Sequence, residues 1–342
     1  MRHLRRAGKW LAVLISAVLI FVVFRGVDWE GMREAFRRAN YLVVLLGASI
    51  GLCGFVVRAF GWRYLLAPVA RLRGLRLFPP VAIGYMANNL FPARLGELVR
   101  AYVVGRREDV SKSSALATIV IERIFDGLTL LLILAAVSIF FEFPLWVQRG
   151  GWLVAGVFLG LAVGLAVVAL KLPLGLRLVD ATLGRWLPPA GEKVKAWLTC
   201  FVAGLDIARH WPDALVAFAL CLVRWLFEAC IYLSVVRALG LDVPLHGALF
   251  VMVVVNIATM VPSAPGYLGA VQFGCWAALS VFGVEKTMAA AYSVLLHAAI
   301  WFPITLTGIA CMLRIHVGFG ALRQQEAPAQ SPLVEVGSPD VC

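Results

Sequence analysis

The sequence predicts an all-α integral membrane protein, a polytopic helical bundle of about six full spans plus two broken re-entrant helical hairpins. Three observations lead there. Of the 342 residues, 62% are hydrophobic and only 15% are charged, with a mean hydropathy of +0.89, whereas a soluble domain carries about a quarter of its residues charged. Several apolar runs approach or exceed the roughly 20 residues that cross a bilayer as a helix. Those runs lack the polar–apolar alternation of membrane β-barrel strands, so the spans are helical.

The net charge of +12 would suggest nucleic acid in a soluble protein. Here the basic residues lie between apolar runs, so they read as cytoplasmic loop charges with some attraction for anionic headgroups, and no nucleic-acid partner is expected. The seven cysteines, Cys53, Cys200, Cys221, Cys230, Cys275, Cys311 and Cys342, form no CxxC pair or Cys/His cluster. The expectation is no metal, no cofactor and no disulfide. A nucleophile elbow, P-loop, dinucleotide fingerprint and HExxH are all missing from the sequence, so no enzyme is expected.

Each element follows from local pattern. Arg2, Arg5, Arg6 and Lys9 precede an apolar run over 10–24, read as an uncleaved first span with its start inside. Residues 28–40 set Trp29, Met32 and Phe36 among charges at helical spacing, as an interfacial helix does. A span over 41–66 carries Arg58 and Arg63, which are expected to snorkel to the cytoplasmic surface. The run 77–91 is short and breaks at Pro92. With basic flanks on both sides it reads as a hairpin that dips into the membrane and returns. A long helix over about 114–140 follows, then a span over 152–170. The basic segment 171–210 has Trp197, Leu198, Phe201 and Leu205 on one face, again interfacial, and a span over 211–239 comes next. A second broken run, 246–282, is interrupted by Pro262, Pro265, Gly266 and Gly269, and a last span covers about 288–313. Residues 1–322 are expected to form one transmembrane domain. The polar, proline-bearing stretch 323–342 is expected to be a disordered cytoplasmic tail.

The two breaks resemble each other weakly, Phe91-Pro92 with Leu95-Gly96 against Val261-Pro262 with Leu268-Gly269. In this topology they enter from opposite faces, which suits an inverted repeat with broken helices meeting near the midplane.

Polar groups inside the apolar runs are the candidate site. Glu122, Arg123 and Asp126 fall about 12 Å into the long helix. Glu122 and Asp126 share a face, and Arg123 reaches Asp126 from three residues away. Each charge at helix centre costs about 2.5–3.5 kcal/mol on insertion scales, so the three must meet partners or water, either as a structural ion-pair knot or as a substrate or coupling site. Arg224 and Glu228, four apart in the 211–239 span, form a pair open to the same two readings. Around the first break lie Asn89, Arg94, Glu97 and Arg100. Arginine suits phosphate and helix N-termini at a break attract anions, although Arg94 and Arg100 also fit as plain flank charges. At the second break Pro262, Pro265 and Gly266 free backbone groups that survive only lining a cavity or buried in protein, and Asn256 and Gln272 are placed to satisfy them. His297, midway in the last span, reads as a hydrogen-bonded interior residue.

The run from Asn89 to Glu97 (Asn-Leu-Phe-Pro-Ala-Arg-Leu-Gly-Glu) followed by Glu122-Arg123-Ile124-Phe125-Asp126 resembles the flippase-like membrane domain of lysylphosphatidylglycerol synthases, and Pro262–Gly269 looks like that family's second, Pro-Gly-rich signature. The likeness covers residues 10–314. It implies movement of lipids across the cytoplasmic (inner) membrane: anionic phospholipids, hopanoid-type lipids or polyprenyl-linked sugars. The soluble synthase domain of those enzymes has no counterpart here, so synthase activity is not implied. The second signature often has Gly at Tyr267 and an acid at Gln272, so roles resting on an acid there are not carried over. Three functions result: a lipid translocase, a membrane-embedded lipid-modifying transferase, or a membrane partner of a lipid-modifying enzyme docked at 171–210.

Lysine and arginine count 20 on the segments assigned inside against 7 outside, with both termini cytoplasmic. Cysteine-accessibility labelling in a Cys-free background should therefore find positions 106 and 286 on opposite faces. Labelling of both from one side would overturn the inverted arrangement.

Overall fold

A computed structural model describes residues 2–91, 95–179, 181–182, 188–206, 210–261 and 263–315. Arg94, Pro92, Pro262 and the 323–342 tail lie outside the described residues. Among those described there is helix and no strand, as the composition demands.

The helices are α1 (Arg2–Phe24), α2 (Trp29–Arg38), α3 (Tyr41–Leu66), α4 (Gly74–Leu90), α5 (Gly96–Glu108), α6 (Lys112–Val137), α7 (Leu145–Leu170), α8 (Leu172–Val179), α9 (Pro188–Gly204), α10 (Trp211–Ala238), α11 (Leu245–Ala258), α12 (Ala270–Ser280) and α13 (Lys286–Arg314). By length and composition α3, α7, α10 and α13 can each cross a membrane, and α1 with α2 forms a fifth candidate bent by 86°. The bend sets α2 across α1, as an interfacial helix requires. Its start is fixed by Asp28, whose carboxylate accepts from the Glu30 N–H. At 26 residues α6 is as long as α3. It misses the apolar criterion because Glu122, Arg123 and Asp126 sit inside it. The sixth expected span is thus a helix of full length carrying three charges.

The two short broken runs are helix pairs, α4 packed on α5 and α11 packed on α12. The residue before a proline is pushed out of helical geometry, and Phe91, just before Pro92, is extended at φ −106°, ψ 146°, so α4 stops there. At the second break, a 3₁₀ turn over Pro265–Tyr267 separates α11 from α12. Gly266 and Gly269 take φ of +71° and +86°, which glycine adopts without steric cost. The breaks touch: a Cβ on Gly266 would stand 3.2 Å from the Asn89 carbonyl. Ser16 of α1 steadies the second break by accepting from the Ala264 N–H at 2.7 Å.

Packing is inverted relative to a soluble protein. Trp10, Leu42, Leu45, Trp152, Leu153 and Leu306 are all exposed, a belt suited to lipid. Inside, one apolar cluster centred on Trp225, Tyr232, Phe250 and Tyr292 joins α10, α11 and α13. A second, around Trp62, Leu65, Leu77 and Ile119, joins α3, α4 and α6. The α9 segment packs on the first turns of α6, where the Ser114 hydroxyl donates to the Cys200 carbonyl at 2.6 Å. Cys200 is disulfide-bonded, correcting the expectation of none, while Cys53, Cys221, Cys230, Cys275 and Cys311 are free.

The first hairpin closes glycine on glycine. A Cβ on Gly96 would lie 2.1 Å from the Gly84 carbonyl and 2.5 Å from the Asn88 side chain, and Asn88 is held by the Gly96 N–H at 2.8 Å. Overpacking of this kind costs about 1–3 kcal/mol. Gly96→Ala should lower the thermal midpoint in detergent while Gly156→Ala, a position with nothing within 4 Å, leaves it unchanged. Equal behaviour of the two variants would contradict the close α4–α5 packing.

Candidate functional site

Charges from four helices converge between the two apolar clusters. Glu122 and Asp126, one turn apart on α6, form the hub. Glu122 receives Arg58 Nε at 2.6 Å from α3 and both terminal nitrogens of Arg100 from α5, at 2.7 Å each, in bidentate geometry. Arg123 Nη2 adds a contact at 3.0 Å. Asp126 receives Arg58 Nη2, Arg123 Nη2 at 3.1 Å, Arg224 Nη1 at 3.2 Å from α10, and the Trp225 indole N–H at 3.0 Å. Arg224 donates its other terminal nitrogen to Glu228, whose second oxygen accepts from Asn256 of α11 at 3.4 Å.

Aromatic rings cover the guanidinium faces. Arg100 lies 3.7 Å from the Trp62 ring centroid, Arg58 5.1 Å from Tyr85 and Arg224 4.1 Å from Trp225. Ring faces attract cations, and more so when desolvated. Trp62 is fixed in turn by donating to Thr118 Oγ1 at 2.9 Å. The assembly solves the problem that three charges in five residues of α6 create: in apolar surroundings a charge persists only when paired and hydrogen-bonded.

The pairing is incomplete on the cationic side. Within the cluster four arginines (58, 100, 123, 224) pair directly with three acids (122, 126, 228), and a fourth acid, Glu97, lies close enough to act on Arg123. Among the described residues, three buried side-chain nitrogens have no acceptor, and all belong to this cluster: Arg58 Nη1, Arg100 Nε and Arg123 Nε. Arg58 and Arg100 are 4% and 3% exposed, but the Arg123 side chain is 36% exposed, so the cluster opens on that side. Tyr85 borders the opening. Its hydroxyl accepts from Arg123 Nη2 at 3.0 Å, which leaves its own hydrogen free to donate.

The predicted residues divide into two groups. Glu122, Arg123, Asp126, Arg100, Arg224 and Glu228 come together. Glu97 sits beside them, accepting from Asn88 at 3.4 Å. Asn89 faces α13, donating to Thr305 Oγ1 at 2.8 Å. Gln272 accepts from the Gly269 N–H at 2.8 Å, as expected, and meets His297 Nδ1 at 2.9 Å. His297 is the hydrogen-bonded interior residue the sequence suggests. Among the described residues the Asn256 amide meets Met252 O, Tyr232 and Glu228 rather than the second break. Pro265 is exposed and Gly266 buried against Trp301.

Arg58 is the main correction. It does not snorkel to a surface but bridges both hub acids. The signal lay in depth: Arg58 is eight residues from the end of α3, about 12 Å, close to the depth of Glu122 from the start of α6. Tyr85, Trp62 and Trp225 carry no such sequence signal, since aromatic residues in apolar spans are ordinary core. Among the described residues no group of three or more His, Cys, Asp or Glu is placed to hold a metal.

A multi-pass helical membrane protein built around a buried arginine–carboxylate cluster is the class that fold and site define. The family model described as the lysylphosphatidylglycerol synthase TM region matches residues 9–308, and the chain belongs to that family. It is 26% identical over 329 residues to a UPF0104 membrane protein of Methanothermobacter thermautotrophicus, spanning 88% of this chain and 93% of the relative. It is 25% identical over 352 residues to the glycosyltransferase AglD of Haloferax volcanii, spanning 94% of this chain but 56% of that enzyme's length. A UPF0104 membrane protein of Methanocaldococcus jannaschii is 25% identical over 227 residues. No solved structure matches. The glycosyltransferase match overturns the expectation that enzymatic function is excluded: nearly the whole of this chain aligns with a part of a named enzyme. The family model carries the name of lysylphosphatidylglycerol synthase, and one relative carries the name of a glycosyltransferase.

Proposed function

We propose that this protein binds the phosphate of a lipid headgroup at the arginine–carboxylate cluster and carries that lipid across the cytoplasmic membrane. The observation that supports it most is the set of three buried guanidinium nitrogens without acceptors among the described residues. A buried donor left unmade costs about 1–3 kcal/mol, more for charged groups. A phosphate oxygen approaching past Tyr85 and Arg123 removes that cost. Arginine's planar fork fits such an oxygen pair. The glycines of the second break and the Asn89 carbonyl that meets Gly266 mark where the two hairpins part, and the lipid's polar end passes between them. Both termini face the cytoplasm in this reading. Candidate lipids are anionic phospholipids, hopanoid-type lipids and polyprenyl-linked sugars.

The match to AglD favours a second reading, in which this membrane region holds a lipid-linked sugar for a glycosyl transfer. Lipid analysis of both leaflets, with and without the protein, separates the two. Translocation leaves a lipid misplaced between leaflets, and transfer leaves a lipid species missing.

Arg123 is the residue to probe, since it both pairs with the hub and faces the opening. Arg123→Lys keeps the charge but loses the fork. It should fold normally yet move a fluorescent phosphatidylglycerol between leaflets of reconstituted vesicles roughly ten- to a hundredfold more slowly, the loss of one charge-assisted hydrogen bond of roughly 1.5–3 kcal/mol. Arg123→Gln should also lose thermal stability, because Glu122 and Asp126 lose a counter-ion. A stable Arg123→Lys protein with the wild-type rate would assign Arg123 to structure alone.

A further inference from the structure

Tyr85 is absent from the residues the sequence points to, yet it is built into the edge of the cluster. From Pro80 to Asn88 every residue of α4 is buried except Tyr85, which is half-buried. Its ring is held on two sides, by Phe55 of α3 edge-on at 4.8 Å between centroids and by the Arg58 guanidinium at 5.1 Å. A side chain so held loses little further freedom when a ligand meets it.

The polar side chains near the end of α4 differ in what they leave unused. Asn88 and Asn89 are both engaged as donors, to Glu97 at 3.4 Å and to Thr305 Oγ1 at 2.8 Å. The Tyr85 hydroxyl is engaged only as an acceptor, from Arg123 Nη2 at 3.0 Å. A phenol has one hydrogen to donate, and among the described residues nothing receives it. Arg123 is in a matching state. Its contacts with Tyr85, Glu122 and Asp126 all use Nη2, and its Nε has no acceptor. Nε and Nη2 sit on one planar fork, so the Tyr85 O–H and the Arg123 Nε–H are neighbouring donors from two helices, both without an acceptor. Holding Arg123 in place would use only a lone pair of the hydroxyl. Two carboxylates already hold that arginine, and the hydrogen is left over.

We propose that Tyr85 is a ligand-binding residue: its hydroxyl donates to one non-bridging oxygen of the phosphate while Arg123 donates to a second. The bound headgroup then bridges α4, the first helix of the first hairpin, and α6. This assignment rests on the headgroup function proposed above. It adds to that site a neutral donor, which recognises the position of an acceptor where the arginines recognise charge.

Calorimetry of dihexanoyl phosphatidylglycerol binding to the full chain in detergent tests this with two variants. Tyr85→Phe keeps the ring and its packing and removes only the hydroxyl. It should unfold close to the wild-type temperature and bind roughly three- to tenfold more weakly, the loss of one neutral hydrogen bond. The second variant carries 3-fluorotyrosine in place of Tyr85 and is measured at about pH 6, where the phenol keeps its hydrogen. Fluorine beside the hydroxyl makes it a stronger donor and a weaker acceptor. Affinity should rise above wild type if the hydroxyl donates to the phosphate, and fall if it serves only to hold Arg123. Wild-type affinity in Tyr85→Phe, or unchanged or weaker binding with fluorotyrosine, overturns the assignment and leaves the headgroup reading in place. If Tyr85→Phe does not fold, the near-isosteric fluorotyrosine protein decides alone by the same criterion. No binding to wild type overturns the headgroup reading and the Tyr85 contact with it.

Discussion

Everything in this fold answers to one constraint: two carboxylates and an arginine lie in the middle of α6, a helix otherwise built for apolar surroundings. At about 2.5–3.5 kcal/mol per charge, α6 cannot sit alone in a bilayer. It is held by three helices that each bring an arginine to the same level, Arg58 from α3, Arg100 from α5 and Arg224 from α10. The close approach of α3 and α10 follows from this. A Cβ on Gly47 would stand 2.0 Å from the Ser234 hydroxyl, so side-chain-free positions are needed for Arg58 and Arg224 to reach one carboxylate. The first hairpin serves the same end, since α5 delivers Arg100 only if Gly96 lets it close on α4.

A buried ion network by itself is weak evidence of function, because well-packed apolar residues often replace one without loss of stability. What distinguishes this network is imbalance. A structural knot needs donors and acceptors to match, and here, among the described residues, three guanidinium nitrogens are left over. One of the three belongs to Arg123, the arginine of the cluster that is partly exposed. An anion-binding role accounts for the surplus and for the opening together.

Much of this was legible in the sequence. Apolar runs of span length marked the long helices, with starts missed by up to eight residues at α1 and seven at α7, and the prolines at 92 and 262 marked both breaks, because helical geometry is disfavoured for the residue preceding a proline. The triad on α6 was legible because charges in apolar runs are conspicuous. Its partners were less so. Arg224 and Glu228 looked like a self-contained pair, since spacing along one helix shows i,i+4 contacts and hides those to Asp126 on another. Arg58 was misassigned to a surface because snorkelling depends on where the bilayer ends, and hydropathy places that edge only to within a turn or two. The aromatic covers, Trp62, Tyr85 and Trp225, could not be told from core residues without their neighbours.

The central claim is that the unpaired guanidinium donors receive a lipid phosphate. A cryo-EM map of the full chain in nanodiscs of phosphatidylglycerol tests it directly. The account predicts headgroup density between the two hairpins, with phosphate oxygens at about 3 Å from Arg123 Nε and Arg58 Nη1. Lipid density confined to the outer belt, with those nitrogens bound only to water or protein, would contradict it.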